Sequence, residues 1–174
     1  MRRVRPSALS LLALAALVGL FHAAWSAYWA AGGSVMADSV GSWAIEWVRE
    51  APAAARTALW AIAFAKAAAA IVPVLSELGL VPPRRLWRGV GWVGGAVLVV
   101  YGAANTAAGV GVLSGLITAP GAELDALRAH VVLWDPAFAF WGAALCAGLA
   151  LSRKPRVGRP GITGPNARGP EIRA

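Results

Sequence analysis

The stretch that decides the fold is "LWAIAFAKAAAAIVPVLSELGL", residues 59–80. It is apolar over the length that crosses a hydrocarbon core of about 30 Å, which takes about 20 helical residues. Yet Lys66 stands near its middle. An ammonium group at the bilayer centre costs about 2.5–3.5 kcal/mol on insertion scales and normally faces the interior of a helix bundle. The segment therefore reads as a membrane span with one protected face, and other spans must supply the protection.

Three further apolar blocks do so. The expected spans are residues 8–31, 57–80, 89–117 and 130–151. The chain of 174 residues is 59% hydrophobic and 14% charged, against about 25% charged in a soluble domain. Such a chain lacks the polar coat of a soluble fold, and an all-α integral membrane four-helix bundle follows. Residues 8–151 form the transmembrane domain, after a basic N-terminus of residues 1–7. Residues 152–174, rich in Pro, Gly and Arg, read as a disordered basic tail. The first block resembles a signal peptide, but "FHAAWSAYWAAGG" puts Trp and Tyr where a cleavage site wants small residues, so it reads as an uncleaved span. The richness in Ala, Gly, Arg and Pro suggests a high-GC bacterial genome.

The net charge of +8 has two readings, nucleic acid and topology. The basic residues flank the apolar blocks, which favours topology and no nucleic-acid partner. The segment "VPPRRLWR" carries Arg84, Arg85 and Arg88 without an acid. The segments on either side of it balance Arg49, Arg56 and Arg128 against Asp38, Glu46, Glu50, Glu123 and Asp125. The positive-inside rule then places both termini and the second loop in the cytoplasm, with the chain in the plasma (inner) membrane and loops one and three outside. In the first loop, Val40, Trp43, Ala44 and Trp47 share a helical face and Pro52 ends the pattern. This predicts a short amphipathic helix lying on the outer surface or capping the bundle. Aromatic-belt positions account for most of the nine Trp.

Depth along each span sets the candidate site. With about 1.5 Å of rise per residue, His22, Lys66, Asn105 and Asp135 fall in the outer half of one bundle, one from each span. Lys66 and Asp135 are the expected ion pair. Asp135 precedes Pro136, which biases it away from helical dihedrals and makes it a candidate N-cap for the buried part of the fourth span. The four groups either satisfy one another and fix which faces meet, or line a pocket for a small polar ligand, an ion or a proton. In the third span Gly91, Gly95, Gly102 and Gly109 form a small-residue stripe for helix packing. It suits the other spans of the same chain or a homo-oligomer seam.

No catalytic set, metal site or cofactor is expected. The single Cys146 excludes an internal disulfide or a CxxC site. His22 and His130, the two histidines, are the sole candidates for axial haem ligands, and they lie at different depths. The stretches "LFHAAWSAYWAAGG" (20–33), "VYGAANTAAG" (100–109) and "HVVLWDPAFAFWG" (130–142) resemble small four-span bacterial membrane proteins of domain of unknown function family 3995. That resemblance implies a location in the bilayer and no activity. The expected function is a non-enzymatic polytopic membrane protein with an intramembrane polar cluster. The alternative is a small transporter or ion- or proton-handling subunit using a Lys66–Asp135 pair, and a more remote one is a membrane enzyme or haem carrier.

Overall fold

A computed structural model describes residues 5–153. The expectation of a disordered basic tail falls almost wholly outside these residues, as do Arg2 and Arg3 of the N-terminus. The described residues fold into four long helices with short elements between them. Helix α1 spans Pro6–Ala30. A 3-10 turn over Ala37–Val40 leads into the short helix α2, Ser42–Glu50. Helix α3 spans Pro52–Leu78 and α4 spans Arg84–Leu113. The fourth long helix begins as α5, Leu124–Ala129, passes through a π-helical turn, His130–Trp134, and continues as α6, Asp135–Leu151. Four of these segments are long and apolar enough to cross a membrane, so this is a multi-pass membrane protein.

The helices start earlier than the apolar blocks because their first turns are built from residues suited to helix starts. Pro6 and Pro52 stand in the first turn of α1 and α3, where the missing N–H costs nothing. Helix α3 runs on through Pro73 and stops at Gly79, whose φ of 81° is left-handed. There Leu80 N donates to Leu75 O and Gly79 N to Ser76 O, the pattern that closes a helix on a glycine.

The core is made of small and branched residues: Leu12, Ala15, Ala70, Ala144, Leu145 and Leu149 surround Trp141. The outward surface is apolar too. Phe64, Val93 and Val100 are each 67% exposed, which suits contact with lipid. Since lipid is as apolar as the core, packing rests on close approach. The α4 stripe shows how. A Cβ on Gly91 would lie 3.0 Å from Leu149 Cδ1, and one on Gly95 2.6 Å from Cys146 Sγ. One on Gly102 would lie 2.5 Å from Ala139 N, and one on Gly109 would collide with Val131. The stripe is filled by the fourth helix of the same chain. Helix α6 thus sits between α1 and α4, and α1 also packs on α3, while α3 and α4 meet over a shorter stretch.

At the end where the described residues begin and stop, a polar latch ties three helices. Glu77, fully buried, accepts from Arg84 and from Arg88 Nη1, the latter at 2.5 Å. Arg88 also donates to Ser152 Oγ at 2.6 Å and Leu149 O at 2.8 Å.

The fourth helix corrects one expectation. Asp135 is not an N-cap: it is helical, with φ −75° and ψ −42°, inside a continuous helix. The π turn before it explains how. A proline ring clashes with the carbonyl one turn back, and the wider π turn makes room for Pro136 without breaking the helix.

Candidate functional site

The opposite, loop-rich end of the bundle holds a cavity of about 110 Å³. Its polar lining is His22, Lys66 and His130, and its aromatic walls are Trp25, Trp29, Trp134 and Phe138. Helix α1 places His22, Trp25, Ser26 and Trp29 on one face through its 3.6-residue period. Helix α3 brings Lys66 opposite Ser26. The π turn brings His130 and Trp134 to the same side as Phe138 of α6.

Each predicted site residue has a definite place. His22 is 2% exposed and its ring stacks on Phe138, with centroids 4.0 Å apart and planes at 14°. Its Nε2 is buried without a hydrogen-bond partner. Lys66 is half-buried. Its Nζ donates to Ser26 Oγ at 3.1 Å and lies 5.5 Å from the Phe138 ring centroid. Ser26 in turn donates to His22 O at 3.2 Å. Asp135 is buried, and its Oδ1 lies 3.3 Å from His130 Nδ1.

The expected Lys66–Asp135 ion pair is not formed. The lysine turns to α1, and the carboxylate is taken by a histidine five residues earlier on its own helix. Five residues is the span of the π-helical i→i+5 hydrogen bond, so the turn that accommodates Pro136 also brings His130 over Asp135. Asn105 is likewise apart from the cluster: it is exposed and donates to Tyr101 O of its own helix at 2.9 Å. His22 and Lys66 do come together, joined through Ser26. His130, expected at a different depth from His22, lines the same chamber.

The aromatic walls were expected largely as an interfacial belt. Instead, Trp134 is buried and meets Trp25 and Trp29 edge-on at 5.8 and 5.6 Å. Its Nε1 donates to Ser39 Oγ at 3.0 Å, and Ser39 donates on to Met36 O at 2.6 Å. The 3-10 turn is thereby fastened over the chamber.

The set presents hydrogen-bond donors without a matching acid. Lys66 has three donors, one of which is satisfied by Ser26, and no carboxylate lies within ion-pair distance among the described residues. The aromatic faces lower the local dielectric, which strengthens any charge contact made there. No group of three or more potential metal-ligating side chains occurs among the described residues.

Comparison with curated proteins finds no match, and comparison with solved structures finds none. A family model described as protein of unknown function (DUF3995) matches residues 19–145, which include every residue lining the chamber. With most of its length covered by that model, the chain belongs to family DUF3995.

Proposed function

We propose that this is a non-enzymatic membrane protein that binds a small monoanion in the chamber at its loop-rich end. The observation that carries the proposal is the position of Lys66. A cation sits about mid-span with its Nζ held by one hydroxyl, and His22, whose buried Nε2 has no partner, lines the same chamber. An anion would receive the remaining lysine donors and would offset the cost of placing that charge in the bilayer. One lysine suits one negative charge, and Asp135 nearby disfavours a second. We place the protein in the plasma membrane with both termini cytoplasmic, so that the chamber opens outward.

Titration with acetate tests this, using purified protein in phospholipid nanodiscs and reading the fluorescence of Trp25, Trp29 and Trp134. The expected result is saturable binding in wild type and binding weakened about 10-fold or more in Lys66→Met, in line with a lost charged hydrogen bond. A melting curve in the same nanodiscs confirms that the variant is folded. Equal affinity in the folded variant, or no saturable response to acetate or chloride, overturns the proposal. A second reading, proton handling, draws on the His130–Asp135 contact at 3.3 Å rather than on Lys66. It predicts that Asp135→Asn abolishes proton uptake coupled to any transport while leaving acetate affinity in place.

A further inference from the structure

A separate cleft of about 260 Å³ lies between α3 and α4, whose mutual contact is short. Ala68, Ala69 and Val72 of α3 face Val90, Gly94 and Leu98 of α4 across it, and Trp141 and Leu145 of α6 form its floor. No charged or hydroxyl-bearing side chain lines it. Ala68, Ala69 and Val90 are exposed, so the cleft opens sideways, toward lipid. Along α4 its lining runs from Trp87 to Leu98, about 16 Å by helical rise. One leaflet's share of a 30 Å hydrocarbon core is about 15 Å. The cleft therefore runs the depth of one leaflet, starting at the latch end.

That end offers donors without acceptors. Trp87 Nε1 is buried and has no hydrogen-bond partner. Arg84, one turn earlier on α4, gives its Nη2 to Glu77, but its buried Nε has no partner. Trp141 Nε1 is also without one. The ring edge that carries it lies against Gly19 of α1, which leaves Trp87 as the donor at the rim. Arg84, Arg85 and Arg88 face one acid, Glu77, at this end among the described residues, and Arg85 is exposed.

We propose that the cleft holds one acyl chain of an anionic phospholipid, with the lipid phosphate at Arg84 and Trp87. The site is independent of the chamber at the other end. A phosphate supplies the acceptors that Arg84 Nε and Trp87 Nε1 lack. The uncompensated charge of Arg85 favours a head of net negative charge over a zwitterion. The tail gains little by leaving the bilayer for the cleft, because both are equally apolar. Selection therefore lies in the head, and the cleft fixes where the lipid sits.

Native mass spectrometry tests this on the full chain released from liposomes of equimolar phosphatidylglycerol and phosphatidylcholine with identical acyl chains. A single retained phosphatidylglycerol is expected, favoured over phosphatidylcholine by at least ~5-fold. Gly94→Leu and Ala68→Phe fill the cleft from opposite walls, and each is expected to lose the retained lipid. Arg85→Gln should erase the preference for phosphatidylglycerol, and Trp87→Phe should lower its retention. A melting curve in the same detergent confirms that each variant is folded, and Trp87→Phe keeps the test decisive where a filling variant does not fold. Equal retention of the two lipids by wild type overturns the proposal. So does phosphatidylglycerol retention that survives in a folded filling variant, or that is indifferent to both Arg85→Gln and Trp87→Phe.

Discussion

At Gly102 an added Cβ would press on backbone, the Asp135 carbonyl and Ala139 N, which have no rotamer by which to move aside. At Gly94, the residue before Gly95 and off the stripe on the same helix, an added Cβ meets nothing within 4 Å. The two glycines therefore predict opposite outcomes for the same substitution. Gly102→Ala should cost about 1–3 kcal/mol by forcing α4 away from α6. Gly94→Ala should be neutral or gain up to about 1 kcal/mol, because alanine is the better helix former. Thermal midpoints in one detergent decide it, and midpoints that move together for both variants would contradict the packing described. The stripe of Gly91, Gly95, Gly102 and Gly109 was legible because helical period alone aligns it. The partner of Lys66 was not. Depth follows from counting residues, but azimuth depends on how each helix is rotated. The π turn moves Asp135 toward His130 by an offset no regular period contains. Asn105 shows the same limit: its depth suits the chamber, its face does not. Ser26 was readable as a neighbour of His22 on one face, and Glu77 could have been paired from the arginines that follow it across a short turn.

Helix α2 illustrates what an element gains from distant sequence. Its own N-cap is Gly41, which makes no side-chain cap. The capping carboxylate comes from Glu123, 81 positions away. Hydrogen bonds from the Ser42 hydroxyl and then the Ser42 N–H hold the Glu123 carboxyl below its ordinary pKa, and the helix N-terminus favours its negative charge. A carboxylate depressed in the folded state contributes its stability above the unfolded pKa of about 4.3 and loses it as pH falls through the lower, folded value. The tether should therefore persist at neutral pH and release only in acid, below the ordinary glutamate range. Hydrogen exchange at the Ser42 amide is the readout, corrected for the intrinsic pH dependence of exchange. Its protection should fall in acid, and Glu123→Ala should show the low protection already at neutral pH. Protection that is indifferent to both would mean that the loops hold α2 without this contact. The amphipathic pattern of the first loop was legible, since it lies within nine residues. The Glu123 contact was not, because it depends on how two loops meet at one end of the bundle.

At the scale of the molecule, the two ends differ in kind. One end carries Arg5, Arg84, Arg85, Arg88 and Arg153 among the described residues, with Glu77 as the acid in their midst. The other carries Arg49, Arg56 and Arg128, of which Arg49 pairs with Glu46 at 3.4 Å and Arg128 with Asp125 at 2.8 Å. The rule for orientation counts Lys and Arg near span ends and gives acids little weight. The excess on the first end still predicts that it is cytoplasmic. Cysteine labelling tests this in intact cells, in a Cys146→Ser background with a membrane-impermeant maleimide. Asp125→Cys, whose side chain is 95% exposed, should react at once. Arg85→Cys, in the short turn between α3 and α4, should react after permeabilisation. The reverse pattern would invert the molecule, and labelling of both sites in intact cells would break the four-span topology. The result bears on the ligand as well. In the expected orientation the chamber faces away from the cytoplasm, and the latch of Glu77, Arg84 and Arg88 lies at the cytoplasmic end. An anion in the chamber would then arrive from outside the cell, whereas inversion would make the same chamber a site for an anion from within it.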